Sequence, residues 1–503
     1  MLAGAGGSAP EVRAQRMAQG PQPTITLPTA LAVDQTNDFV FVTTGDFNNQ
    51  TAGATGPGRL LILATAGDMT HSIRSIPVGD GPASVLVDPR ADRVLVVNLG
   101  GGDQYAGYSG SSVSVFDLAA LEHGGPKPLL HTTPLHGQLA QQAIMDRTTG
   151  RTFVAGWSLA GSGQAGKGSV SIIDTHTGAL LHTMILNAVP LALALDEMAG
   201  QVLVLYGGLP TADLITVLDT HTGRPVRTFP VGPTIPPLAV DGRTDHLFVA
   251  SRQGIQMRSA RDGALLRTVS LGQMPATIVV DTSHGHIFVV TEGSMGANDQ
   301  FVSNGTLCML DARTGALLGR VSVGLDLPYL AMFTGAMQPT IVVNGSGNLT
   351  FVANTSGAGT GGSPQRHGSI SAIRVTSAGL HPPRTTKIGA NGAIPLALVL
   401  DTTTNRVYVT TMVYSAAGVP TIGLAILDGH SGTVIGTVPF LTKPIAQALG
   451  RSGQTATLLA NGQVSVAGGF NRAVTLALAE IHDPKAGTWT STRSMDGALP
   501  GTP

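Results

Sequence analysis

Charge is scarce in this chain. Only 12% of its 503 residues are Asp, Glu, Lys or Arg, and the formal net charge is −1. Globular domains carry about twice that charged share, and without a basic stripe or a field of one sign nothing draws DNA, RNA or an anionic lipid surface to the molecule. No nucleic acid partner is expected. The single cysteine, Cys308, excludes an intrachain disulfide and a cysteine-rich zinc site. It lies in the apolar run Leu307-Cys308-Met309-Leu310, where a buried thiol is expected. No apolar run of about 18 residues occurs, so no transmembrane segment is expected. Residues 1–23 hold no stretch of signal-peptide length and read as a flexible leader. Also missing are a G-x-S-x-G elbow, an H-E-x-x-H pair and a histidine cluster of metal-ligand type. No glycine-rich loop leads from a strand into a helix with Lys-Ser/Thr, which removes support for nucleotide binding.

What the chain has is glycine and repetition. Its 66 glycines and 31 prolines make up about a fifth of the residues, above the usual share and below the level that signals disorder. With 42% hydrophobic residues, the chain can bury a large core. Segments 31–44, 85–98, 193–206, 238–251, 278–291, 341–354 and 398–411 are variants of one phrase, in which an apolar run reaches an Asp or Asn turn and restarts as a second apolar run. Asp34, Asp88, Asp146, Asp196, Asp241, Asp281 and Asp401 mark the turn, and their spacing of about 40 to 60 residues belongs to a propeller or a similar array.

The second half of each unit adds a third run ending in another turn and a fourth closing near Val-Gly, as in 170–186, 215–232 and 307–324. β-branched alternation bounded by Gly, Asp and Asn is the strand-and-hairpin signal. Each unit is therefore a four-stranded antiparallel meander that must stack on its neighbours. The expected fold is an all-β propeller with blades near 28–79, 82–135, 136–187, 190–231, 237–271, 275–323, 328–389 and 395–440.

Two resemblances follow. Asn405-Arg406-Val407-Tyr408-Val409-Thr410-Thr411 and the D-x-x-T-G turns such as Asp219 to Gly223 resemble YVTN-type propeller repeats over roughly 28–440. That family includes bacterial surface-layer and extracytoplasmic propellers, most commonly of seven blades, so eight units here depart from it. The resemblance implies a cell-surface setting. Segment 455–495, with Gly468-Gly469, Asp483-Pro484 and Trp489, resembles a Kelch repeat of the galactose-oxidase-like kind, with His482 in place of the usual tyrosine. It divides the chain into a leader (1–23), a propeller (24–440) and a Kelch-like unit (441–503) that would be an additional or closing blade, for seven to nine blades in all.

The repeated aspartates invite a catalytic or metal reading. Each sits after an apolar strand and before a short turn, where an Asp accepts hydrogen bonds from turn N–H groups. A catalytic group is needed once per site, not once per repeat, so the expectation is structural. His176 and His221 lie in such turns and share it.

The loops between second and third strands differ, because they vary in length and content among units that otherwise match. Strand alternation puts them on one face with the blade-to-blade connections and puts the Asp turns on the other. Function is expected on the variable face. Its candidates are Asp46, Asn48, Asn49, Asp103, Tyr105, Tyr108, Trp157, Asn298, Asp299, Arg366, His367 and Tyr414. Aromatics with amides and carboxylates suit protein or glycan contact. Asp46 with Asn48, or Asp299 with Asn298, offers oxygen ligands to a divalent cation such as calcium, while no cofactor is required. The favoured function is a monomeric, non-catalytic binding or scaffold propeller that presents this face to a protein, glycan or cell-envelope partner. The alternative is a lactonase-like propeller hydrolase or lyase with a divalent metal or acid/base site at the channel mouth.

Overall fold

The computed structural model describes residues 24–48, 54–65, 73–103, 107–135, 139–157, 167–207, 213–295, 301–324, 340–354, 368–377, 379–389, 393–414 and 420–440, together with short stretches between 455 and 491. It divides into two compact units, 1–439 and 440–503.

The first unit is an eight-bladed β-propeller, each blade a contiguous antiparallel meander of four main strands. The first strands are Thr24–Asp34, Pro82–Asp88, Leu139–Asp146, Val189–Asp196, Leu238–Asp241, Pro275–Asp281, Ile341–Asn344 and Ile394–Asp401. Each packs against the next, and the eighth packs against the first, so these strands form a closed inner ring. Closure needs no exchanged strand. Thr402 Oγ1 donates to Gln35 Oε1 (2.6 Å), Thr403 Oγ1 to the Gln35 carbonyl (2.9 Å) and Arg406 Nη1 to the Thr65 carbonyl (2.9 Å), which fastens blade 8 onto blade 1.

The sequence shapes the inner ring directly. Pro28, Pro82, Pro190, Pro275 and Pro395 each sit beside a register shift near the start of a first strand. An inner strand is an edge strand, where a residue without an N–H costs no ladder bond.

The core lies between blades. Alternate residues of each strand face opposite neighbours, and one cluster joins Leu203, Leu205 and Phe229 of blade 4 to Leu247 and Val249 of blade 5. One position in every second strand carries a large apolar or aromatic side chain, namely Phe41, Leu95, Phe153, Leu203, Phe248, Phe288, Phe351 and Tyr408, all essentially buried. Each such side chain stabilises the fold by roughly 2 to 3 kcal/mol. Cys308 is buried in the cluster between blades 5 and 6, and burial pushes its thiol up to about 11.

Blade 2 departs from the pattern by replacing its outer turn with the helix Leu118–His123. Asp117 caps it by accepting the Ala120 N–H (2.7 Å). The second unit contains its own four-stranded sheet, from Thr455–Leu458, Val464–Ala467, Ala479–Asp483 and Thr488–Ser491. No helix among the described residues is long and apolar enough to cross a membrane.

Candidate functional site

The turn aspartates are consumed locally. Asp34, Asp88, Asp146 and Asp401 are buried, and their carboxylates accept N–H groups from Thr36, Arg90, Thr148 and Thr403 at 2.8 to 3.0 Å. In the outer turns, Asp174, Asp219 and Asp311 each accept both the N–H and the hydroxyl of the threonine three residues on, at 2.6 to 2.7 Å. The Thr222 and Thr314 hydroxyls hold Asp219 and Asp311 below the usual carboxylate range. Burial works to raise Asp146, but hydrogen bonds from Thr220, Thr148 and Thr149 outweigh it and lower that group. These carboxylates are anchors of turns. In blade 7 an amide takes the place, and Asn344 Nδ2 donates across the blade boundary to Asn405 Oδ1 (2.6 Å) and the Gly429 carbonyl (2.9 Å).

The twelve loop-face candidates are distributed over six blades. Asn49, Tyr105, Asn298, Asp299, Arg366 and His367 lie outside the described residues. Asp103 pairs with Gly107 and Tyr108 with Gly102 in a small hairpin that extends the loop of blade 2, Gly101–Asp103 with Gly107–Ser109. Tyr414 pairs with Pro420 where the middle strands of blade 8 run on beyond the inner strand. Asn48 pairs with Thr24 at the same end of blade 1. Trp157 closes the second strand of blade 3, half-buried between Leu139 and Gly168. Asp46 is already engaged, since it accepts the Thr26 hydroxyl (2.5 Å) while its carbonyl accepts the Thr55 N–H (2.9 Å). The six described candidates share the end of the blades carrying the variable loops.

Two clefts stand out on the opposite face, among the Asp turns. One, of about 770 Å³, lies between blades 5 and 6 and is lined by Arg243, His246, His284 and Arg313 together with Asp241 and Ser283. The other, of about 490 Å³, lies between blades 6 and 7 and is lined by His284, His286, Phe288, Val343, Leu349 and Val375 among others. His284 belongs to both walls. Its ring stacks on His286 (centroids 6.3 Å, interplanar 10°), and His286 meets Phe288 edge-on (6.2 Å). Sequence reasoning missed these residues. Ser283-His284-Gly285-His286 was a visible departure from the other turns, but its partners Arg243 and Arg313 come from separate turns and meet it only in the ring.

Ser283, His284 and Asp281 have the composition of a hydrolase triad without its geometry. Ser283 Oγ and Asp281 Oδ2 both lie 2.9 Å from the same ring nitrogen, His284 Nδ1. A triad needs the serine on Nε2 and the carboxylate on Nδ1, so here the ring does not bridge the two, and the hydroxyl donates directly to the Asp281 carboxylate. Burial works to raise Asp281, and hydrogen bonds from Ser283 and His284 override it and hold the carboxyl low. Among the described residues no group of three or more His, Cys, Asp or Glu is placed to hold a metal ion.

No family model matches the chain, and no curated protein sequence matches it. Solved structures do. The dihydro-heme d1 dehydrogenase NirN in complex with DHE aligns with a TM-score of 0.51 and 13% identity over 81% of this chain and 74% of that one. Sqt1 of Saccharomyces cerevisiae aligns with a TM-score of 0.50 and 9% identity over 82% of this chain and 95% of that one. At such identities the likeness carries the propeller fold and no activity.

Proposed function

We propose that the chain is a non-catalytic propeller scaffold whose loop-bearing face binds a protein, glycan or cell-envelope partner. The observation that carries this reading is the use of the repeated carboxylates. The titratable group that recurs in nearly every blade is turned into its own turn and saturated there, while the chain varies at the loops of the other face. Trp157, with Tyr108 and Tyr414 as residue types, suits amphipathic contact on that face, and Asp46 with Asn48, or Asp299 with Asn298, would offer oxygen ligands to a calcium ion. The YVTN-type phrase at 405–411 and the Kelch-like phrase at 455–495 agree with an extracytoplasmic scaffold of bacterial type.

The test is binding of the full chain to glycan and peptide arrays, with thermal shift in lactones and divalent cations, since a ligand that binds the native state raises apparent stability by mass action. Saturable binding to one array class, weakened about tenfold or more in Trp157→Ala or Tyr414→Ala without a change in melting temperature, is the expected result. Metal-stimulated turnover of a lactone would replace this reading with the hydrolase one.

A further inference from the structure

We propose that the cleft between blades 5 and 6 is an anion-binding site, and that the adjoining cleft between blades 6 and 7 receives the aromatic body of the same ligand, an aryl phosphate or aryl carboxylate. This site is on the turn face and stands independently of the loop-face reading.

The argument starts from which groups are spent. Asp241 accepts the Arg243 N–H (3.2 Å) and the Thr244 hydroxyl (2.8 Å). Asp281 accepts the N–H of Ser283 (3.1 Å) and of His284 (3.2 Å), besides the Ser283 hydroxyl and the His284 ring. Asp311, two residues before Arg313, accepts the Arg313 N–H (3.1 Å), the Thr314 N–H (2.6 Å) and the Thr314 hydroxyl (2.7 Å). Every carboxylate around the cleft is thus bound inward by its own turn.

The cations point the other way. Arg313 is exposed, and among the described residues its guanidinium has no acceptor. Arg243 gives Nη1 to the Thr282 carbonyl (2.5 Å), which fixes the fork at the cleft wall with N–H groups to spare. His246 Nδ1 donates to the Ala312 carbonyl (2.9 Å) and His284 Nδ1 to Asp281 (2.9 Å), so each neutral ring presents Nε2 as an acceptor, which suits the O–H of a protonated ligand oxygen. Two guanidinium forks, one from each side of the cleft, suit the multidentate oxygens of phosphate or carboxylate. Hydrogen bonds from their own turns hold the Asp281 and Asp311 carboxyls low, so their negative charge stays beside the cleft and selectivity rests on the forks and not on a net field.

Next to this polar cleft the wall changes character. Val343, Leu349, Val375 and Phe288 line the second cleft, and the parallel His284 and His286 rings stand at the junction. A flat apolar body stacks there while its anionic group reaches the arginines. Both volumes fall in the range of small-molecule sites, about 300 to 1,000 Å³.

Calorimetric titration of the full chain with phenyl phosphate, inorganic phosphate and phenol tests this. Phenyl phosphate is expected to bind saturably at one site, inorganic phosphate more weakly and phenol not measurably. Arg313→Gln is expected to weaken both phosphates by about tenfold, the loss of one charge-assisted hydrogen bond, with an unchanged melting temperature. His286→Ala is expected to weaken phenyl phosphate alone. A phosphotyrosyl peptide separates the two sources of this chemistry: tighter Arg313-dependent binding than phenyl phosphate assigns the site to a modified protein, and equal or weaker binding assigns it to a free small molecule. Absence of saturable phenyl phosphate binding, or binding unchanged in Arg313→Gln, would overturn the proposal. Phenyl phosphate binding no tighter than inorganic phosphate would overturn its aromatic half.

Discussion

The blades make inner and outer turns on the same face, and the two obey different rules. At the inner turn the residue four places after the aspartate, or after Asn344 in blade 7, takes a left-handed conformation in all eight blades. It is Asp38, Asp92, Gly150, Gly200, Asp245, Gly285, Asn348 or Asn405. At the outer turn the corresponding residue is glycine wherever the tight turn is kept, at Gly178, Gly223, Gly263, Gly315 and Gly432. Positive φ alone explains why Asp, Asn and Gly share the inner position. What distinguishes the outer one is space. A Cβ on Gly315 would come within 2.7 Å of Met257 Sδ, one on Gly432 within 2.7 Å of Ala372, and one on Gly263 would run into the Phe229 ring, all in the preceding blade. A Cβ on Gly285 or Gly150 meets nothing. The outer turn is a packing element between blades, and the inner turn is a self-contained cap.

The largest effect expected from this difference is a pair of alanine substitutions. Gly263→Ala is expected to cost about 3 kcal/mol, from overpacking and backbone strain together, and Gly285→Ala about 1 kcal/mol from strain alone, read as shifts in urea midpoint. Equal costs would dissolve the distinction. Next come the two aspartates of blade 8. Asp401 is fully buried and Asp428 half-exposed, so Asp401→Ala is expected to cost about 2 to 3 kcal/mol and Asp428→Ala about 1 kcal/mol.

The acid limb sharpens the comparison further. Thr222, Thr314 and Ser431 side-chain hydroxyls lower Asp219, Asp311 and Asp428. A carboxyl lowered in the fold contributes stability that is present above its unfolded value and lost as pH falls through the folded one. Melting temperature is therefore expected to drop below about pH 4, the ordinary range of Asp, and less steeply when Thr222 and Thr314 are replaced by valine. Glu122, in the blade 2 helix against the inner turn of blade 1, carries the opposite sign. Burial, and then the Asp34 carboxylate beside it, push Glu122 up to about 8, while Asn37 Nδ2 donates to its Oε2 (3.0 Å). A raised carboxyl contributes stability that is full below its ordinary value and is lost as pH rises through about 8. Glu122→Gln is expected to flatten that loss in a melting scan from pH 5 to 9, and an unchanged alkaline slope would separate Glu122 from the inner turn. The smallest effect concerns Tyr408, whose buried hydroxyl has no partner among the described residues. Phe fills the same position in five other blades, and Tyr408→Phe is expected to raise stability by up to about 1 kcal/mol.

Most of this architecture was legible in the sequence, because a propeller writes its local rules once per blade. The period of the Asp turns, the alternation in runs such as 202–206 and 215–219, and the Gly of each D-x-x-T-G turn map onto strands and turns of the eight blades. Blade limits read from sequence, such as 190–231 and 275–323, fall within a few residues of the strands that begin at Val189 and end at Gly232, or begin at Pro275 and end at Ser322. The candidate site was far less legible. Arg243, His284 and Arg313 belong to three different turns, and only the angle between neighbouring blades sets their side chains around one cleft. The signal at His284 was a single histidine beside a second one two residues on, in a turn whose other copies carry Thr, Ala, Asn or Gly. Half of the loop-face residues lie outside the described part of the chain, and the loops that hold them repeat nothing from which geometry can be read.

The most direct test of the account is a crossed measurement of urea midpoint and phenyl phosphate affinity in Asp401→Ala and Arg313→Gln. The account predicts that the aspartate variant loses stability and keeps its affinity, while the arginine variant keeps stability and loses affinity. An Asp401→Ala protein with an unchanged midpoint and lost binding would contradict it, because the repeated carboxylate would then serve a ligand and not the turn.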